Sequence, residues 1–117
     1  MSDKIVQYIV IRKDVVHRWP LGATVAQGCH AATAAIAKSI SSQTTQSYLS
    51  DLKNMTKCVL GIDNEEDLKA LANRLSESKI AHHLWIEQPE NVPVSLASAP
   101  DYKSKLSPYF KSFKLLN

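Results

Sequence analysis

Glycine and cysteine are both scarce in this chain, three of the first and two of the second among 117 residues. Gly22, Gly28 and Gly61 fit neither the dinucleotide fingerprint nor the P-loop, which need clustered glycines to bring backbone N–H groups onto phosphate. Cys29 and Cys58 are too few for a disulfide framework and favour a reducing compartment, with the cytoplasm as the expectation. No apolar run approaches the ~18 residues of a membrane span. Met1-Ser2-Asp3-Lys4 lacks the charged-then-apolar pattern of a secretory signal. Metal ligands are equally thin. His82 and His83 are neighbours on a predicted strand, so they point to opposite faces, and no other ligand spacing occurs; no metal and no cofactor is expected.

What remains is one ordinary domain, residues 1–117, with 44% apolar residues and a formal charge of +3. The charge is uneven. From Asp101 onward Lys103, Lys105, Lys111 and Lys114 oppose one acid, and Arg12, Lys13 and Arg18 oppose Asp14. If those two segments share a face, a phosphate backbone would be drawn to it. An ordinary solvated lysine surface accounts for the same residues.

Residues 4–12 are β-branched and nearly continuously apolar, which predicts a buried strand. A loop over 13–22 and a helix over about 23–40 follow. The helix entry, Thr24-Val25-Ala26-Gln27, fits a capping box with Gln27 reaching back to the cap. A short helix is expected at 46–54 and a second strand at 57–62. Asp63-Asn64-Glu65-Glu66 starts a helix whose Leu68, Leu71, Ala72 and Leu75 form one apolar stripe. A third strand is expected at 80–87, a fourth at 94–98, a short helix near 101–108 and an edge strand near 110–115. Strands alternating with helices imply an α/β fold: three layers, α-β-α, around a four-stranded mixed, mostly parallel sheet with helices on both faces.

The strand–loop–helix junction at 5–35 is where such folds place ligand chemistry. Gln27 and His30 lie three apart on one helix stripe, a spacing suited to a polar pair facing a pocket. A capping role for Gln27 and a half-buried structural role for His30 fit the spacing equally well. Cys29 reads as a small buried thiol. Trp19 and Trp85 read as core or rim packing, with base stacking as the alternative.

These residues resemble the type 2 peptidyl-tRNA hydrolases. Ala26-Gln27-Gly28-Cys29-His30-Ala31 matches that family's helix signature, and the likeness extends through Lys57–Leu60, Asp63–Leu68, Ile80–Glu87 and a closing strand at Ser112–Leu116. It is strongest toward a divergent eukaryotic branch, in Tyr8–Asp14, Val25–Ala35 and Leu84–Asn91. The resemblance implies hydrolysis of the ester joining a peptide to the tRNA 3′ end, with tRNA as partner; the family is often dimeric, which admits a homodimer. It implies Gln27, His30 and Glu87 as catalytic candidates and Arg12, Lys13, Arg18, Lys111 and Lys114 as contacts to tRNA phosphates. Two family segments are rewritten here. Pro20-Leu21-Gly22-Ala23 stands where a Gly-Lys-Gly-Lys supplies a lysine thought catalytic. Glu87-Gln88-Pro89-Glu90-Asn91 stands where an Asp-Ala-Gly-x-Thr loop supplies an aspartate and a threonine, with Glu87 or Gln88 at the aspartate position and Asn91 near the threonine. Binding without hydrolysis, on the same fold, is the competing reading. In the catalytic reading His30 is the general base, Glu87 orients it or the water, Gln27 holds the scissile carbonyl, and Arg18 or Lys13 replaces the lost cation.

Overall fold

Gln7 through Ile11 are buried without interruption, so this strand must have protein on both sides. The structure, a computed structural model, describes residues 3–117 and supplies both layers. The order is β1 (Ile5–Arg12), a single helical turn α1 (Lys13–Val16), α2 (Leu21–Lys38), α3 (Gln43–Leu49), a 3-10 turn (Leu52–Asn54), β2 (Lys57–Ile62), α4 (Glu65–Glu77), β3 (His82–Glu87), β4 (Val92–Ser98), β5 (Asp101–Tyr102) and α5 (Lys103–Phe110).

The main sheet runs β2-β1-β4-β3. β1 and β2 are parallel, Gln7 opposite Lys57 through Arg12 opposite Ile62. β4 is antiparallel to both β1 and β3. Hence β1, β2 and β3 run the same way and end at the same rim, where β4 begins. The two-residue β5 adds an antiparallel pair to the start of β1. One sheet face packs Val6, Tyr8, Val10, Leu60, Ile62 and Leu96 against Leu68, Leu71 and Leu75 of α4 and Leu106 and Phe110 of α5. The other packs Ile9, Ile11 and Ala97 against Ala31, Ala32 and Ala35 of α2. This is the expected α-β-α layering around a mixed sheet.

Small polar groups fix α2 on its sheet. The Gln7 amide, fully buried, donates to the carbonyls of Ala32 and Ser98. Ser95 Oγ donates to the Gln27 carbonyl at 2.8 Å. Gly28 lets the helix approach closely, since a Cβ there would stand 3.3 Å from Ile11 Cδ1. Gly28 therefore takes the sheet-facing position, and its neighbour Cys29 is exposed rather than buried.

Three further expectations change. The connector is not all loop, because Lys13–Val16 makes a helical turn. No capping box forms: Pro20, its ring fixing φ at −56°, already leads the chain into helix at Leu21, so Thr24 and Gln27 lie past the first positions. Gln27 is thereby free for a tertiary contact. The expected edge strand near 110–115 shrinks to one antiparallel bridge, Leu60 opposite Leu115, because α5 runs on through Phe110. Around that bridge Gly61 N–H donates to the Lys114 carbonyl and Leu116 N–H to that of Val59. Among the described residues no helix is long and apolar enough to cross a membrane.

Candidate active site

Two cavities differ in their chemistry. The larger, about 550 Å³, lies between α2 and β2, walled by Ile9, Val25, Ala32, Val59 and Leu116. Of its lining residues only Lys57 is charged, its amine lowered from the ordinary lysine value by burial. It offers no acid–base pair. The smaller, about 190 Å³, opens at the rim where β1 and β3 end and β4 begins, with Arg12, Arg18, Trp19, Glu87 and Glu90 in its wall.

Glu87 ends β3, just past an irregularity in the β3–β4 register between Trp85 and Ile86. Bulges of this kind re-aim a strand's last side chains. Both carboxylate oxygens are held. Gln27 Nε2 donates to Oε2 at 2.9 Å, and Trp85 Nε1 donates to Oε1 at 3.2 Å. The His30 ring stacks on the Trp85 indole, centroids 4.5 Å apart and planes 21° from parallel. So Gln27, His30 and Glu87 converge, with Trp85 as the piece that joins them. Gln27 is 4% exposed, and its Oε1 is buried without a hydrogen-bond partner. An orphaned buried acceptor costs about 1–3 kcal/mol, so the site retains an unmet demand for a donor. His30 itself is exposed and makes no hydrogen bond to Glu87 among the described residues. Gln88, the other candidate for the family's aspartate position, is exposed and donates to Asn91 Oδ1 at 3.3 Å, away from Gln27.

The candidate cations divide. Arg12 is 7% exposed and is used internally: Nε and Nη2 donate to Asp14 at 3.0 and 2.7 Å, Nη1 donates to the Pro93 carbonyl at 2.9 Å and lies 3.5 Å from Glu65. It braces the rim and has little left for a phosphate. Lys13 pairs with Asp63 at 2.9 Å, and its aliphatic stem lies across Gly61. Lys114 bonds the same Gly61 through its backbone, so the connector and the tail do meet, at the end of β2. Arg18 stays 67% exposed, its Nε donating to the Asp14 carbonyl. Lys111 caps α5 and is exposed. Among the described residues no three His, Cys, Asp or Glu side chains gather as metal ligands.

The Arg12 hydrogen bond, above all, holds the Asp14 carboxyl below its ordinary value. A depressed carboxylate stabilises the fold above its unfolded pKa and loses that contribution as pH falls through the folded one. Acidification below about 3.8 should therefore weaken this rim. At neutral pH Asp14→Asn should cost about 2 kcal/mol in urea unfolding, below the ~3–5 kcal/mol of a fully buried broken pair, because Asp14 is partly solvated and Glu65 remains. A loss under ~0.5 kcal/mol would mean the brace is dispensable.

Sequence reasoning gave one contributor, Trp85, only a packing or stacking role and left another, Ser95, unassigned. Trp85 was recognisable only through strand alternation, which puts it on the same face as Glu87. Ser95 carried no signal at all, since its role depends on β4 lying under α2.

The sequence model of the family described as "Peptidyl-tRNA hydrolase PTH2" matches residues 5–116. The chain is 46% identical over 114 residues to a Mus musculus protein named "Putative peptidyl-tRNA hydrolase PTRHD1" and 45% identical over 114 residues to its Homo sapiens namesake. Each match covers 95% of this chain and 81% of the relative.

Proposed function

The chain belongs to the type 2 peptidyl-tRNA hydrolase family, and from that premise we propose that it hydrolyses the ester between a peptide and the 3′ end of tRNA, with Glu87 as general base. The observation that carries this is the clamped Glu87 carboxylate beside a cavity at the strand rim. Glu87 takes a proton from water as the water oxygen bonds to the acyl carbon. The bond from that carbon to the ribose oxygen then breaks, and the ribose oxygen receives the proton back. The products are a free carboxylic acid and a tRNA hydroxyl.

Roles shift from those the resemblance implies. Gln27 spends its N–H on Glu87, so it orients the base rather than holding the carbonyl, with its Oε1 buried behind that contact. His30, stacked on Trp85, acts as a wall, so His30→Ala should cost less than about tenfold in rate. Among the exposed cations Lys13, Arg18, Lys111 and Lys114 are assigned to tRNA phosphates. Replacing both Lys111 and Lys114 by Ala should flatten the salt dependence of tRNA affinity by a log–log slope of about 2, one per lost phosphate contact, and a slope unchanged within error would remove the tail from the interface.

A second reading, tRNA binding without hydrolysis, draws on one observation. The helix start at Leu21–Ala23 puts no cation beside the pocket, and Leu21 is exposed there. Release of a labelled N-acetylaminoacyl group from tRNA decides between them. Turnover abolished by Glu87→Gln supports the hydrolase; intact binding with no wild-type turnover supports the second reading.

A further inference from the structure

We infer that the cavity beside Glu87 is a nucleobase subsite that selects, by its exocyclic amine, the base of the nucleoside carrying the ester, with Trp19 as its stacking wall and Glu90 as its hydrogen-bond acceptor. This deepens the proposed function and rests on it.

The cavity's size, lining and charge all suit a small, neutral ring. Its volume is about 190 Å³, with the half-buried Trp19 on one side and Val15 and Val92 on others. Among the described residues the Trp19 ring stacks on no other aromatic, whereas Trp85 stacks on His30 and Tyr8 on Phe110. The Trp19 main chain is anchored, the backbone N–H donating to the carbonyl of Val15, a buried residue of α1. An unstacked aromatic wall recovers stacking free energy from a base.

Charge disfavours a phosphate in the interior. Arg12 is already neutralised by Asp14 and Glu65, and Glu87 and Glu90 add two carboxylates to the same wall. Arg18 is the wall's other cation and lies 3.9 Å from Asp14, so Asp14, Glu65, Glu87 and Glu90 outnumber the two arginines; a polyanion gains little there, and an uncharged base loses nothing. Carboxylates accept and do not donate. The base must therefore present a donor, as the amines of adenine and cytosine do, while uracil and hypoxanthine place a carbonyl at the corresponding position. Arg18, the exposed member of the wall, stands at the cavity's rim, where the phosphate leading into that nucleoside would pass. A base seated on Trp19 shares its cavity with Glu87, which brings its own ribose ester to the general base.

The test uses the full chain and three trinucleotide RNAs with free 3′ hydroxyls, CCA, CCU and CC-inosine, so it reads binding without turnover. With the chain 15N-labelled, the two tryptophan indole N–H resonances are followed, the Trp19 signal being assigned by its loss in Trp19→Phe. CCA should move the Trp19 signal, and CC-inosine and CCU should bind about tenfold more weakly. Trp19→Ala should weaken CCA by tenfold or more, Trp19→Phe should retain most of the affinity, and Glu90→Gln should abolish discrimination between CCA and CC-inosine. Equal binding of the three RNAs to the wild-type chain, or no binding of CCA, overturns the subsite, and both are read without any variant. Hydrolysis of N-acetylaminoacyl-tRNA with unchanged KM in Trp19→Ala overturns it while leaving the hydrolase standing. Selective CCA binding without wild-type turnover leaves the subsite standing and overturns the hydrolase.

Discussion

Glu87→Gln should lower kcat for peptidyl-tRNA hydrolysis by about 10²–10⁴, the span over which a positioned general base acts. The substitution is nearly isosteric, and its amide oxygen can still accept from Gln27 Nε2, so the helix–strand contact and the fold should persist. The capacity to take a proton goes, together with the acceptor for Trp85 Nε1. Substrate affinity should change little, which separates this variant from those at the exposed lysines, where KM and its salt dependence carry the loss. Retention of more than a tenth of the wild-type kcat would remove Glu87 as the base. The Gln27 and Trp85 donors make a milder, graded set: losing either frees one carboxylate oxygen to wander while the carboxylate itself remains. Trp85→Phe should therefore reduce kcat by less than Glu87→Gln does, and equality of the two would mean that the indole touches the substrate itself.

Phe110→Ala should cost about 3–5 kcal/mol of folding stability, the range for deleting a buried aromatic. Phe110 is fully buried at the end of α5 and stacks on Tyr8 of β1, centroids 4.7 Å apart and planes 6° from parallel. Deletion opens a void beneath the centre of the sheet and strips one face from Tyr8, adding the aromatic pair's own ~0.5–1.5 kcal/mol. A domain of this size commonly holds about 5–15 kcal/mol in all, so the variant should unfold at much lower urea, with the slope of the transition unchanged. A loss below about 1.5 kcal/mol would show that α4 and its leucines can close the gap.

Much of the fold was legible because its signals are local. The run Ile5–Ile11 reads as a strand whatever surrounds it. Asn64 with three acids behind it reads as a helix start, and Asn64 Oδ1 indeed accepts from Asp67 N–H at 2.9 Å. His82 and His83 do diverge: the first reaches toward Ser76 of α4, the second toward Lys38 of α2. The misread parts depend on competition between local signals and distant partners. Thr24-Val25-Ala26-Gln27 fits a capping box, but Pro20 starts the helix earlier and Glu87, sixty residues away, offers Gln27 a charged acceptor. The sequence marked Gln27, His30 and Glu87 as candidates but not the contacts that bring them together. Counting Arg12 as a surface charge misses that its three donor nitrogens are already spent on Asp14 and Pro93. No pattern in the sequence says that an indole two residues before Glu87 will hold one of its oxygens.

The Lys114–Leu116 bridge has a bearing on solubility. β2 is an edge strand, and edge strands are templates on which another chain can add. Val59 and Gly61 point their backbone groups outward, and the tail satisfies both. Leu116 also fills part of the apolar trough between α2 and β2. One peeling event would bare a hydrogen-bonding edge and a hydrophobic channel together, the pairing that seeds aggregation. The last few residues thus act as a gatekeeper for the sheet, so defects there should first appear as insoluble protein, before any change in turnover.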